Sequence, residues 1–170
     1  TEKAAAICPG ADTYTRADIY CALALASEDD GMRGRWLAKM LENSGTAYSN
    51  ALTRLDEIGK GRPPAAVLSW LDQARLTCRE GDAAMAWATA TMRLGHRLLE
   101  RADTCTEAGE LLRRLAQAEE EAKSLLAAKQ CQARFIPVLA DLSGMLASPR
   151  TAWEKRLAAL GACTITINGS

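Results

Sequence analysis

Apolar residues recur along most of this chain at alternating intervals of four and three positions. This spacing places them on one face of an α-helix that packs nearly parallel to its neighbours. It predicts three long helical rods, over about residues 15–58, 64–102 and 104–134. The longest apolar stripe belongs to the second rod and consists of Val67, Leu71, Ala74, Cys78, Gly81, Met85, Ala88, Met92, Gly95, Leu99 and Ala102.

Local signals predict where the rods bend and end. Gly31 and Gly34, next to two aspartates, favour a kink or short break in the first rod. Glycines and prolines at 59–64 end that rod and open the next one. Thr104 followed by Glu107 matches a capping box at the start of the third rod.

Shorter elements are predicted after residue 134. A break at Pro137 precedes a short helix at 138–147. After a second break at 148–149, another helix begins at a Thr151–Glu154 capping box and ends at Gly161. A strand-like segment follows at 164–167. That segment is too short to form a sheet. The predicted fold is therefore all-α, a single-domain elongated antiparallel bundle of three to four helices over residues 1–170.

Composition narrows the possible partners. Ala and Leu dominate, and 21 basic residues balance 21 acidic ones, so the formal net charge is zero. Without a net positive field we expect no binding to nucleic acid and no electrostatic attraction to an anionic membrane. The run Glu119–Glu121 lies mostly outside the apolar stripe, so we interpret it as a solvated face.

Six cysteines are spread along the chain without C-x-x-C spacing: Cys8, Cys21, Cys78, Cys105, Cys131 and Cys163. This pattern favours a disulfide framework over a metal site, and therefore an extracellular or cell-surface location. In an up-and-down bundle, residues equally distant from a turn lie side by side. The predicted pairs are Cys8–Cys163, Cys21–Cys105 and Cys78–Cys131. Two alternatives stay open: a buried free thiol at Cys78 and a local Cys8–Cys21 pair.

No catalytic, metal or cofactor site is recognisable in the sequence. His96 is the only histidine, and we interpret it as a solvated or boundary residue rather than a catalytic base. The four tryptophans, Trp36, Trp70, Trp87 and Trp153, are expected in the core or at its edge. The five methionines, at positions 32, 40, 85, 92 and 145, are likewise expected to fill the core.

The predicted topology brings both termini to one end of the bundle. The opposite, distal end then carries the 59–64 loop and the turn near residue 134. Its exposed side chains are possible binding residues: Lys60, Arg62, Arg134 and Phe135.

The long alanine-rich helices, with stretches such as that from Ala83 to Met92, resemble the alanine-rich surface proteins of African trypanosomes. This resemblance implies a disulfide-pinned helical bundle attached to the membrane by a glycolipid on a C-terminal tail. Its partner would be a host or vector macromolecule. The N-terminal Cys8-Pro9 … Cys21 segment is similar instead to plant pectin methylesterase and invertase inhibitors, which are secreted helical bundles.

The function predicted from the sequence is that of a non-enzymatic extracellular surface protein of a parasite, acting as a coat, receptor or adhesion module. The alternative is a secreted inhibitor of a carbohydrate-active hydrolase. An enzyme is the third hypothesis, which we rank last because catalytic groups are not apparent.

Overall fold

The computed structural model describes residues 13–43, 54–131 and 135–167, with side chains except at 13–15, 135, 137, 138 and 159–167. All regular structure in these ranges is helical, as predicted. The helices are α1 Thr13–Ala26, α2 Asp30–Glu42, α3 Leu55–Gly59, α4 Pro64–Arg75, α5 Gly81–Glu100, α6 Cys105–Ala127 and α7 Phe135–Ile167. The long α5 and α6 pack against each other, α7 packs on both, and α4 lies against α2 and α5.

The first rod is broken, as predicted, but at residues 27–29 rather than at Gly31 and Gly34, which both lie inside α2. Helix α1 ends at Ala26, and Asp29 caps α2 by accepting a 2.8 Å hydrogen bond from the Met32 backbone N–H. Gly34 has a different role from the expected kink. It lies inside α2, where a Cβ would stand 2.5 Å from Cδ1 of Trp70, so it allows α2 and α4 to pack closely.

The prediction of one continuous rod over 64–102 is wrong, because the chain reverses at residues 76–80. The indole N–H of Trp87 donates a 2.9 Å hydrogen bond to the carbonyl of Leu71. In a straight helix those sixteen residues would span about 24 Å. Gly81 makes the reversal possible, since its φ of +57° lies in the left-handed region that glycine adopts without strain. Helices α4 and α5 are therefore two elements packed together.

The predicted start of α6 and its Thr104 N-cap are confirmed, although Glu107 accepts from the residue before the N-cap rather than from the N-cap itself. The Thr104 hydroxyl oxygen accepts a 3.2 Å hydrogen bond from the Glu107 backbone N–H. The Glu107 carboxylate reaches back to the Asp103 backbone N–H, at 3.4 Å. Helix α6 then runs antiparallel to α5.

The predictions for the C-terminal segment are wrong, because α7 is one helix from 135 to 167. Pro137 lies in the first turn of the helix. Proline lacks a backbone N–H, and an N–H at this position would have no acceptor within the helix. Pro149 lies inside the helix. Thr151 does not cap a new helix, since its hydroxyl donates to the Ala147 carbonyl at 2.8 Å. The 164–167 segment, expected to be strand-like, continues the helix.

Most expectations for the core are confirmed. All four tryptophans are buried, and so are Met40, Met85 and Met92. Met32 is half-buried and packs against the core, but Met145 is 41 % exposed, so its assignment to the core is wrong.

The disulfide predictions are wrong for the described cysteines. Cys21, Cys78, Cys105 and Cys131 are free thiols, so Cys21–Cys105, Cys78–Cys131 and the local Cys8–Cys21 pair are not formed. The side-by-side argument assumed unbroken rods, whereas the chain breaks at 27–29 and reverses at 76–80. Cys78 instead matches the buried free-thiol alternative, and burial raises its pKa to about 11. Cys8 and the Cys163 side chain lie outside the described residues, so that pair stays a prediction.

The prediction of a solvated face at Glu119–Glu121 is wrong for two of its three residues. Glu119 accepts hydrogen bonds from Arg150 at 2.8 Å and from Ser143 at 3.2 Å, both on α7. Glu121 pairs with Arg75 of α4 at 2.5 Å. Glu120 alone is exposed. The acidic run therefore links α6 to α7 and to α4.

Candidate functional site

A cavity of about 260 Å³ lies between the end of α3, the turn that follows it, the first turn of α4 and the last two turns of α5. We call it the α3–α5 cavity. Its apolar wall consists of Val67, Leu94 and Leu98, all of them buried. Charged side chains line the rest of it, so the cavity combines a buried apolar part with a polar opening.

Two glycines shape the cavity. At Gly59, a Cβ would stand 2.8 Å from Cδ2 of Leu94, so the missing side chain lets the end of α3 lie close to α5. Gly61 has a φ of +70°, which turns the chain between α3 and α4. A Cβ there would meet no atom within 4 Å, so the turn leaves open space beside the cavity.

The two carboxylates that line the cavity are already neutralised by arginines of α5. Asp56 accepts hydrogen bonds from Arg97 at 3.2 Å and from Arg93 at 3.4 Å. Burial acts to raise the pKa of Asp56, but these two hydrogen bonds outweigh it and the pKa lies below its ordinary value. Arg97 also donates to Glu100 at 3.2 Å. Both carboxylates are therefore paired with arginine.

The remaining cations of the cavity, Lys60 and Arg101, are unpaired. Within the described residues neither side chain makes a hydrogen bond or an ion pair, and both are exposed. They come from different parts of the chain, Lys60 from the turn after α3 and Arg101 from just past the end of α5. Two uncompensated positive charges therefore border an apolar cavity.

The structure places the four predicted binding residues differently. Lys60 lines the α3–α5 cavity. Arg62 turns away toward α2, where it donates to Asp30 at 3.1 Å and to the Glu28 carbonyl at 3.2 Å. Arg134 and the side chain of Phe135 lie outside the described residues. Of the predicted set, the structure thus supports Lys60 alone as a cavity residue.

The contribution of α5 to the cavity was not predicted from the sequence. Leu94, Arg97, Leu98 and Arg101 follow the i, i+3, i+4, i+7 spacing of one helical face, so the signal was present. Nearby acids in the sequence predict a partner for both arginines. That holds for Arg97, but Arg101 has no acidic partner among the described residues.

His96 is buried, which corrects its interpretation as a solvated or boundary residue. Its side chain is 8 % exposed, and Nε2 lies 3.3 Å from a carboxylate oxygen of Glu100. Nδ1 has no hydrogen-bond partner in the described part of the chain. The Glu100 carboxylate thus connects the only histidine to the edge of the cavity.

A smaller cleft of about 140 Å³ lies between α4, α5 and α6, beside Trp87 and Thr91. Its arginines are paired: Arg114 bridges Asp72 and Glu110, and Arg75 pairs with Glu121. The buried Thr91 hydroxyl has no partner within the described ranges. This cleft therefore differs from the α3–α5 cavity in carrying no uncompensated charge.

Comparisons of the chain with protein-family models, with curated proteins and with solved structures found no match. Over the residues that the structure describes, no group of three or more His, Cys, Asp and Glu side chains is placed to hold a metal ion. None of the helices searched there combines the length and the apolar character that a membrane span requires.

Proposed function

We propose that this protein is a binding protein whose ligand is a small, largely apolar molecule held in the α3–α5 cavity. The observation that carries the proposal is the cavity itself, with about 260 Å³ of space against three buried aliphatic side chains. Small-molecule sites in proteins are concave, mostly apolar and oriented by a few polar groups. The α3–α5 cavity is concave, its wall includes three aliphatic side chains, and its charged lining residues supply the polar groups.

The receptor hypothesis drawn from the sequence had a host or vector macromolecule as its partner, so a small apolar ligand is a different proposal. The parasite surface location, the absence of enzymatic activity and the alternative role as a hydrolase inhibitor stay predictions. The location was inferred from disulfides, and four of the six cysteines are free thiols. That argument therefore no longer supports an extracellular location.

The proposal is tested by titrating the protein with N-phenyl-1-naphthylamine, a neutral probe whose fluorescence rises in apolar surroundings. We expect saturable 1:1 binding. Methyl NMR signals of Val67, Leu94 and Leu98 should shift on binding, while those of Leu125 on α6 should not. Binding without shifts at these three residues would contradict the proposal.

A blocking variant provides a second test. Val67 is fully buried at the cavity wall, so Val67→Phe should fill part of the space and weaken probe binding at least tenfold. The matched control is Ala65→Phe, which adds the same ring at an exposed position in the same helical turn. Circular dichroism checks that both variants fold. If Val67→Phe does not fold, the NMR shifts of the unmodified protein decide.

A further inference from the structure

We propose that the ligand of the α3–α5 cavity is an amphipathic carboxylate, with its apolar part against Val67, Leu94 and Leu98 and its carboxylate between Lys60 and Arg101. This inference rests on the proposed function, because it names the chemical class of the ligand for that same cavity.

The charges around the cavity do not balance. Three basic and two acidic side chains line it: Lys60, Arg97, Arg101, Asp56 and Glu100. The two acids share Arg97, and Asp56 has Arg93 as an additional partner. What remains uncompensated is positive, so an anionic group on the ligand gains electrostatic energy there and a cationic group loses it.

The two unpaired charges lie beside the apolar wall. Lysine and arginine lay their aliphatic stems along apolar surface while the charged heads reach water. Lys60 and Arg101 line the cavity and are exposed, which fits this arrangement. The apolar and anionic parts of the ligand must therefore lie at opposite ends of one molecule.

The helix ends do not decide the sign of the ligand. The first turn of α4, which carries the positive end of its dipole, contributes Val67 to the cavity. The last turn of α5, with the negative end of its dipole, contributes Leu98 and Glu100. The end of α3, at Gly59, adds a second negative end. The helix ends therefore do not favour an anion, and the preference for one rests on the two unpaired side chains.

The test compares three ligands with the same eight-carbon chain and different head groups: octanoate, 1-octanol and octylammonium. Each is titrated against the bound neutral probe at low ionic strength. We expect octanoate to bind about tenfold more tightly than 1-octanol, because charge-assisted hydrogen bonds to two exposed cations add modestly to apolar burial. Octylammonium should bind most weakly.

Paired variants assign this preference to the two cations. In Lys60→Gln/Arg101→Gln, octanoate should lose its advantage while 1-octanol keeps its affinity. The control Arg35→Gln/Lys155→Gln removes two exposed cations outside the cavity, so it changes the net charge equally. Octanoate should keep its advantage there.

The outcomes separate the two proposals. If all three ligands displace the probe equally, or octylammonium binds most tightly, the inference is overturned and the proposed function stands. If the preference for octanoate survives in the Lys60/Arg101 variant, the assignment to these residues is overturned. If neither the probe nor any of the three ligands binds, the proposed function fails as well.

Discussion

At the scale of single residues, glycines decide how closely the helices approach. A Cβ at Gly34 would overlap the Trp70 ring, and one at Gly95 would stand 2.7 Å from Leu115 Cδ2. Gly109 and Gly144 have open space instead, since a Cβ at either position would meet no atom within 4 Å. In the sequence Gly34 is read as a signal for a kink and Gly95 as part of the apolar stripe, but the pattern contains no information on what faces each glycine.

We predict that Gly34→Ala destabilises the protein by about 1–2 kcal/mol, although alanine is the better helix former. The added methyl group must push apart α2 and the rigid, buried Trp70. The control Gly109→Ala should stabilise by about 0.5–1 kcal/mol, because only the helix propensity changes. Urea denaturation measures both values, and a stabilised Gly34→Ala would contradict the packing argument.

At the scale of helices, Arg33 of α2 links the C-terminal ends of α1 and α3. Its guanidinium donates to the carbonyls of Leu25 and Ser27 at the end of α1 and to the carbonyl of Ile58 at the end of α3, at distances of 2.7–3.3 Å. The residue is only 6 % exposed. Carbonyls at helix C-termini lack helical donors, so a buried cation there satisfies them and offsets the dipole.

Replacing this residue by a side chain of similar length without donors tests the role. Arg33→Met should cost about 3 kcal/mol, because buried carbonyls lose charged hydrogen-bond donors. Arg35→Met is the control on the same helix, where the arginine is exposed, and should stay within about 0.5 kcal/mol of the unmodified protein. Equal losses in the two variants would exclude Arg33 as the link between α1 and α3.

At the scale of the whole molecule, α7 is held on the α5–α6 pair by polar contacts as well as apolar packing. The indole N–H of Trp153 donates a 3.0 Å hydrogen bond to the Leu99 carbonyl of α5. Glu119 of α6 pairs with Arg150 of α7, and its side chain is only 12 % exposed. These contacts lie close to Pro149, so they fix α7 where its own hydrogen bonding is interrupted.

We predict that Glu119→Gln destabilises the protein by about 1 kcal/mol and speeds amide hydrogen exchange in α7, because the charged contact to Arg150 is lost. Glu120→Gln changes the adjacent, exposed residue and should leave both measurements unchanged. Faster exchange in α7 for both variants would contradict a specific role of Glu119.

The sequence by itself determined the helical class and most of the buried positions. Of the described positions in the apolar stripe of the predicted second rod, all are buried except Gly81, even though that rod is not continuous. Which positions are buried depends on the spacing of apolar residues along each helix. A reversal of the chain between two helices does not change that spacing. The Thr104 N-cap was predictable for the same reason, since its hydrogen bond joins neighbouring residues.

Only the tertiary structure decided where the chain turns back, which thiols stay apart and how the α3–α5 cavity forms. These features depend on contacts between residues distant in sequence, such as Trp87 with Leu71 and Arg97 with Asp56. The unpaired state of Lys60 and Arg101 is likewise a three-dimensional result. The packing of the helices determines which acidic side chains lie within reach of a cation. The spacing of apolar residues in the sequence contains no information on this packing.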